Sequence, residues 1–422
     1  MIGISRRRFG QAAAAGTALL AAPAILRAQS AGRVVVIGGG AGGGTAAKYL
    51  KKDAPDLDVT LIEANPQYTT CFYSNLYVGG LRDFDSITHS YDGLAGHGVN
   101  VVNAFASGVD AAAKTVTLED GSTVDYDKLV LAPGIDFKWD AIEGYDEAAA
   151  EIMPHAYKAG AQTRLLKEKV DAMRDGGTFV MVAPPNPFRC PPGPYERVCM
   201  IAKRFKESNP SAKIVILDAK DKHSKQALFQ EAWANHYDGM VEWVPGDFGG
   251  KVAGVDASDM TITTEDGEVF EADAANVIPA QKAGLIAEIA GATDDSGWCP
   301  IDPHSMASTI VDDVYVIGDA SIAGDMPKSG FSANSQAKVC AMAIRNALTG
   351  SDLFPARFRN TCWSTVAEED TMKVGASYEA TDEKIAKTEG FISEVGESAD
   401  LRLQTREEAD GWYASITADI FG

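Results

Sequence analysis

The sequence predicts an α/β fold of two Rossmann-like dinucleotide-binding domains, followed by a small α+β C-terminal domain. An aliphatic strand, Arg33-Val-Val-Val-Ile37, runs directly into a glycine-rich turn that meets the pattern Gly-x-Gly-x-x-Gly. A second such strand ends at Ala183, and a third, Val314-Tyr-Val-Ile-Gly-Asp319, reads as the return of the chain to the first domain. About 390 residues beyond an N-terminal leader are enough for two or three domains with ample cores.

Residues 1–31 are expected to be a twin-arginine export signal. A basic segment, Ser5-Arg-Arg-Arg-Phe9, precedes the alanine-rich and uncharged residues 11–26. A membrane anchor is the alternative, but about sixteen apolar or small residues interrupted by a proline are short for a span. We expect cleavage between Ala28 and Ala31, which predicts a periplasmic mature protein.

The net charge of the chain indicates which kinds of binding partner are to be expected. The formal net charge is −21, and it becomes −25 without residues 1–31, which hold four arginines and no acidic residue. Such an acidic surface argues against nucleic acid and anionic lipid, and it favours a basic protein partner. The six histidines show no metal-binding spacing and no Cys-x-x-Cys-His haem site occurs, so no metal or haem is expected on this chain.

The first domain is predicted over residues 32–150 and 283–350. Gly38, Gly40 and Gly43 allow a tight turn, so that the N-terminus of the next helix can hold a pyrophosphate. Twenty residues after Gly43, Glu63 closes a second aliphatic strand. Its carboxylate is expected to accept a hydrogen bond from an adenosine ribose hydroxyl.

Cys71 lies in an aromatic loop that directly follows this second strand. The loop is expected to run along the bound dinucleotide towards its redox end, where a flavin ring would lie. The residues alone leave open whether Cys71 contacts a flavin, is a buried thiol or forms half of a structural disulfide.

The second domain is predicted over residues 151–282 and lacks a nicotinamide site. Its first strand runs into Pro184-Pro-Asn-Pro-Phe-Arg-Cys190-Pro-Pro-Gly-Pro instead of a glycine-rich turn. Proline has no N–H for a phosphate and its ring blocks close approach. The stiff loop can fix the Cys190 sulfur. Glu196 at the start of the next helix is a candidate proton carrier, or an ordinary first-turn acid that favours the helix dipole.

The third strand ends in Gly318 and Asp319 and is followed by a glycine-bearing loop and a predicted helix from Ser332 to Leu348. This arrangement is typical of the second of two motifs that bind the flavin in such enzymes, in which the aspartate accepts a hydrogen bond from the ribityl chain. Because domains that bind only NAD lack this distal strand, the pair of motifs indicates FAD. Lys328, just before the helix, is a candidate contact of the flavin ring or a plain surface residue.

The C-terminal domain is predicted over residues 351–422. Strands are expected at 371–377 and 411–416, without an amphipathic membrane-binding helix at the end. Cys362 stands alone in this region. Cys199, Cys299 and Cys340 are interpreted as buried thiols, although a Cys190–Cys199 bridge stays open.

By its motifs the chain resembles the flavoprotein subunit of flavocytochrome c sulfide dehydrogenase, a glutathione-reductase-like flavoprotein. The motifs are Tyr-Thr-Thr-Cys71, Pro-Phe-Arg-Cys190-Pro-Pro-Gly-Pro-Tyr-Glu-Arg, Val-Ile-Gly-Asp-Ala-Ser-Ile-Ala and Asn-Thr-Cys362. The resemblance implies a thioether from Cys71 to the flavin and a redox disulfide between Cys190 and Cys362. It also implies sulfide as substrate and a c-type cytochrome partner, in a heterodimer, that carries the haem.

Two other functions remain open at this point. A sulfide:quinone oxidoreductase shares the fold and the cysteine chemistry, but would be expected to carry a membrane-binding C-terminal segment. A non-catalytic periplasmic flavoprotein that stimulates sulfur oxidation by a partner is the other alternative.

Overall fold

The computed structural model describes residues 31–422, so the predicted export signal lies outside the described residues except for Ala31. The first stretch alternates aliphatic strands with short helices and a β-meander. Its elements are β1 (Arg33–Ile37), α1 (Ala41–Asp53), β2 (Asp58–Glu63), β3 (Gln67–Thr69), α2 (Ser74–Val78), β4 (Thr88–Ser90), α3 (Asp92–Gly96), β5 (Asn100–Asn103), β6 (Ala106–Asp110), β7 (Thr115–Leu118), β8 (Thr123–Asp125), β9 (Lys128–Leu131) and β10 (Ile135–Phe137).

The middle stretch repeats the strand and helix alternation. Its elements are α4 (Ala161–Asp171), β11 (Thr178–Ala183), α5 (Gly193–Ser208), β12 (Lys213–Asp218), α6 (Gln226–His236), β13 (Val241–Val244), β14 (Val252–Asp256), β15 (Thr261–Thr264), β16 (Val269–Glu271), β17 (Ala274–Val277) and β18 (Gln281–Ala283). β11, β12, β13 and β17 form a parallel sheet in the order β13-β12-β11-β17. The strands are apolar because helices and loops cover both faces of a parallel sheet.

The chain then returns to the first sheet. Its elements are α7 (Leu285–Ile289), β19 (Cys299–Pro300), β20 (Val314–Val316), β21 (Ser321–Ile322) and α8 (Gly330–Thr349). β20 pairs in parallel with β9 and completes a five-stranded sheet in the order β20-β9-β1-β2-β5. Val34, Val35 and Val36 of the central strand are at most 1% exposed. The predicted fold of two parallel-sheet domains is therefore confirmed.

The C-terminal stretch is an antiparallel sheet covered by a helix. Its elements are β22 (Arg357–Ala367), β23 (Asp370–Ala380), β24 (Ile385–Ile392) and α9 (Ala399–Phe421). The strand predicted at 411–416 is wrong, because this segment is part of the 23-residue helix α9. Ser398 caps the helix by accepting from the Leu401 amide, and Ile420 and Phe421 are buried at its other end.

The physical reason for this error is tertiary packing. Trp412 and Tyr413 have side chains that favour strands, but in α9 the Tyr413 ring stacks on Tyr73 with centroids 4.4 Å apart. The apolar side of α9 thus faces the protein, where α9 contacts β23 and α1. Among residues 31–422 no helix has both the length and the apolar character that crossing a bilayer requires.

Candidate active site

The glycine turn between β1 and α1 borders a groove of about 440 Å³. Gly38 has φ +99°, and a Cβ on Gly43 would lie 1.8 Å from the Gly38 carbonyl oxygen. A larger residue at position 43 therefore cannot fit without moving the backbone. α1 begins at Ala41, directly after the turn, and its first amide groups have no partner within the helix. The turn fits a pyrophosphate.

Two carboxylates line the same groove. Glu63 accepts hydrogen bonds from the Gly39 amide at 2.7 Å and the Asn65 amide at 3.0 Å, so it is held beside the glycine turn. Asp319 Oδ1 is buried and has no hydrogen-bond partner among residues 31–422, and Arg189 Nη1 lies 3.8 Å from Asp319 Oδ2. Burial raises the pKa of Asp319, an effect that Arg189 opposes. An unpaired oxygen here can accept from a ligand hydroxyl, so the groove fits FAD.

Lys328 stabilises the loop that carries Asp319. Its Nζ donates to the carbonyl oxygens of Asp319 at 2.7 Å and Ser321 at 2.9 Å, and lies 3.7 Å from the centroid of the Trp298 ring. Burial lowers the pKa of Lys328 to about 8. Its side chain lines a different groove from the one above. A contact of Lys328 with a flavin ring stays a prediction.

Cys71, Cys190 and Cys362 line one cavity of about 70 Å³, the cysteine pocket, together with Glu196. Cys71 and Arg189 also line the dinucleotide groove, so the two cavities adjoin at these residues. The structure therefore brings together the three cysteines that the resemblance had singled out.

All six cysteines have free thiols in the structure, so neither the Cys190–Cys362 disulfide nor the alternative Cys190–Cys199 bridge is formed. Cys199, Cys299 and Cys340 are buried, as predicted. The amide of Cys190 donates to the Lys328 carbonyl oxygen at 2.8 Å, which anchors the proline-rich loop to the Asp319 segment.

Burial raises the pKa of each of the three pocket thiols, but the charged groups beside them act differently at each cysteine. Arg189 opposes the effect at Cys71, and Lys225 opposes it at Cys362. At Cys190 the neighbouring Cys362, Glu196 and Cys71 raise the pKa further, and Lys225 opposes them with a smaller effect. Of the two thiols implied to form the disulfide, Cys362 therefore has the stronger electrostatic help to ionise.

Glu196 belongs to a hydrogen-bond network that joins all three domains. Its carboxylate accepts from Asn75 Nδ2 at 2.8 Å and from the Thr365 amide at 2.9 Å. Asn75 Oδ1 accepts in turn from Nε of the buried Arg197 at 3.0 Å. Burial raises the pKa of Glu196, and the two hydrogen bonds oppose that effect. Glu196 is therefore more than a solvated first-turn acid.

Four residues in and beside the cysteine pocket adopt the left-handed backbone conformation that side chains disfavour. The φ angles are +72° at Tyr73, +48° at Ala156, +54° at Cys190 and +58° at Lys225. The first three line the pocket. Such conformations concentrate at functional sites, where the surrounding structure holds them in place.

The second sheet offers no equivalent of Glu63 to a ligand. Asp218 ends β12 as Glu63 ends β2, but it is fully buried and accepts from Tyr195 Oη at 2.5 Å, Trp243 Nε1 at 3.0 Å and Lys220 Nζ at 2.6 Å. The Asp218 carboxylate is thus paired inside the protein, and prolines follow β11 where a glycine turn follows β1. That this domain lacks a nicotinamide site stays a prediction.

Sequence reasoning missed four residues of the site. Arg189 is part of a quoted motif and Asn75 lies in the Cys71 loop, so both had a signal in their position. Arg197 ends the same quoted motif and had the same signal. Lys225 had none, because only tertiary structure brings it to the pocket. Among the described residues, no group of three or more histidine, cysteine or acidic side chains is arranged to hold a metal ion.

Three family models match the chain. The model for the central part of the sulfide dehydrogenase (flavocytochrome c) flavoprotein chain matches residues 163–279, and the model for the flavin-binding part of flavocytochrome c sulphide dehydrogenase matches residues 355–421. The model for pyridine nucleotide-disulphide oxidoreductases matches residues 32–171.

Solved structures share the fold. The sulfide:quinone oxidoreductase of Aquifex aeolicus is 17% identical, with 92% of each chain covered and a TM-score of 0.71. The NAD-dependent persulfide reductase of A. fulgidus is 17% identical over 89% of this chain and 77% of that one, with a TM-score of 0.61. The water-forming NADH oxidase of Lactobacillus brevis is 18% identical over 92% of this chain and 100% of that one, also at 0.61.

Proposed function

We propose that this chain, which belongs to the flavocytochrome c sulfide dehydrogenase flavoprotein family, oxidises sulfide by means of FAD and a pair of redox cysteines. The observation that carries the proposal is the shared pocket of Cys71, Cys190 and Cys362, which adjoins the groove that fits a dinucleotide. Neither the glycine turn nor the cysteines alone would distinguish this activity from those of other flavoproteins.

The residues that would hold FAD are those at the groove. The turn at Gly38, Gly40 and Gly43 would hold the pyrophosphate, Glu63 the adenosine ribose, and Gly318 with Asp319 the ribityl chain. Cys71, at the junction of groove and pocket, would form the thioether. Bound flavin would supply a two-electron acceptor beside the thiols and a relay to a one-electron acceptor.

The sulfur chemistry takes place on Cys190 and Cys362. In the oxidised protein, these two cysteines form a disulfide. Hydrosulfide attacks it, the S–S bond breaks, and one cysteine carries the new persulfide while the other leaves as a thiolate. The disulfide gains two electrons, and the sulfide sulfur is oxidised by the same two. Glu196 faces the pocket, and its raised pKa suits uptake and release of a proton.

Electrons leave through a partner in this proposal. Asp218 is paired within the protein and prolines replace the second glycine turn, which disfavours exchange with NAD(P)H. The acidic surface, at −25 without residues 1–31, suits a basic c-type cytochrome that carries the haem in a periplasmic heterodimer. The corresponding division of the chain is an export signal at 1–31, a FAD domain at 32–150 and 283–350, a second domain at 151–282, and a C-terminal domain at 351–422.

The first test is the intact mass of the denatured mature protein, with peptide mapping under non-reducing conditions. The proposal expects a mass raised by one FAD on the Cys71 peptide, and linked Cys190 and Cys362 peptides. Loss of flavin on denaturation would contradict the thioether. Two free thiols after air oxidation would contradict the sulfur chemistry.

Activity provides the second test. Cys190→Ser and Cys362→Ser are expected to abolish sulfide-dependent reduction of cytochrome c at unchanged FAD content, whereas Cys340→Ala, at a buried thiol outside the pocket, keeps it. Reduction of a quinone analogue by the isolated chain at a higher rate than cytochrome c would instead favour a quinone reductase. Partner stimulation that survives both serine variants would favour a non-catalytic flavoprotein.

A further inference from the structure

Lys225 is a buried lysine that reaches from the second domain into the C-terminal domain. It immediately precedes α6, is 6% exposed and has φ +58°. Its Nζ donates to the Cys362 carbonyl oxygen at 3.0 Å and to Ser364 Oγ at 2.7 Å. Among the described residues it has no ion pair with a carboxylate, so two neutral oxygens are its hydrogen-bond partners.

A buried ammonium group without a carboxylate partner lowers the stability of the folded protein, so a functional role would explain its presence. Burial lowers the pKa of Lys225 to about 8, while Cys362, Glu196 and Cys190 act in the opposite direction and Arg402 adds to the lowering. The groups that favour the charged lysine are therefore the titratable groups of the cysteine pocket. The charge of Lys225 is also the largest influence that opposes the raised pKa of the Cys362 thiol, ahead of the hydrogen bonds from Asn360 and Ser329.

The second domain holds the Cys362 segment of β22 at two points. Lys225 binds the carbonyl oxygen of Cys362 and the hydroxyl of Ser364, and Glu196 accepts from the amide of Thr365. Ser364 and Thr365 are buried. The backbone next to Cys362 is thus fixed by one cationic and one acidic side chain of the same domain.

We propose that Lys225 is a positioning residue for the sulfur chemistry: it fixes the strand that carries Cys362 and supplies the positive charge that stabilises the Cys362 thiolate. This inference rests on the proposed function. Hydrosulfide then attacks Cys190 Sγ, the Cys190–Cys362 bond breaks, the persulfide with its proton stays on Cys190, and Cys362 leaves with the bonding electron pair. The more acidic thiol is the better leaving group.

The test is the pH dependence of Cys362 ionisation in the reduced, FAD-containing protein with Cys190→Ser. The rate at which iodoacetamide alkylates Cys362 is followed by peptide mass spectrometry. Lys225→Met is expected to lower this rate at pH 7 by about tenfold and to raise the midpoint by about one pH unit. Lys225→Arg restores most of the rate because the charge is kept. Lys203→Met removes a lysine that pairs on the surface with Glu207 and changes nothing.

A merely structural role of Lys225 predicts a different result. A loosened strand would expose Cys362 and speed alkylation without moving the midpoint, and that outcome overturns the proposal, as does an unchanged rate and midpoint. The ultraviolet absorbance of the thiolate, titrated in the same variants, gives the midpoint without reagent access. Neither readout needs sulfide, so a shifted midpoint in a protein that does not oxidise sulfide would keep the role of Lys225 and reject the proposed function.

Discussion

Replacing Glu196 by glutamine is expected to destabilise the protein, although the two side chains have the same shape. Both neighbours of the carboxylate are donors, namely Asn75 Nδ2 and the Thr365 amide. Asn75 cannot turn its amide round, because its oxygen accepts from Arg197, which has no acceptor to offer. The glutamine NH₂ would therefore face a donor. One hydrogen bond is lost and a shielded donor is left unpaired, at a cost of about 1–3 kcal/mol.

The assay is the urea midpoint followed by tryptophan fluorescence. The matched control is Glu207→Gln, since Glu207 is exposed and pairs with Lys203 on the surface, so a change below about 0.5 kcal/mol is expected. Asn75→Asp in the Glu196→Gln background restores an acceptor opposite the glutamine and should recover part of the loss. If Glu196→Gln is as stable as Glu207→Gln, the assignment of donors and acceptors is refuted.

Two further predictions concern the dinucleotide groove and a buried histidine. Gly43→Ala, whose Cβ would lie 1.8 Å from the Gly38 oxygen, is expected to give protein without flavin absorbance after gel filtration; Gly411→Ala, on an open helix surface, should keep its flavin. Burial lowers the pKa of His155 to about 3, and its Nδ1 accepts from the Tyr157 amide, so stability should fall as the pH drops below about 6.5. His155→Asn, which keeps an acceptor, should flatten the urea midpoint between pH 7 and pH 4; an equally steep dependence would show that other groups cause it.

Local pattern was sufficient for the two parallel sheets. β1, β2, β12 and β20 are short aliphatic runs bounded by glycine or acidic residues, and such runs fold alike in many contexts. The glycine turn was equally predictable, because the backbone itself leaves no room for a Cβ atom at Gly43. The helix α9 was not predictable in this way, since the contacts of Trp412 and Tyr413 with the first domain decide its conformation.

In the cysteine pocket, too, some features could be predicted before the structure was known and others depend on tertiary contacts. Cys71, Cys190 and Cys362 are far apart in the sequence, and no spacing rule joins them, so their association came from the resemblance to a family. The polar residues that hold the pocket were not predicted, although the position of Asn75 in the Cys71 loop was a signal. Asn75 and Lys225 are ordinary polar residues in the sequence, and their importance arises only from the oxygen and nitrogen atoms that the fold places beside them.

At Cys190, the left-handed backbone conformation lowers the stability of the protein, while the proposed chemistry requires the cysteine side chain. A side chain in this conformation costs about 1–2 kcal/mol that glycine does not. In the reduced protein, in which no Cys190–Cys362 cross-link contributes to stability, selection for heat resistance alone would therefore favour Cys190→Gly, and with it the loss of the sulfur. Serine or alanine at this position keeps the cost and still loses the thiol. Stabilising substitutions for this protein should be sought away from the pocket, because at Cys190 the substitution that relieves the backbone strain also removes the thiol.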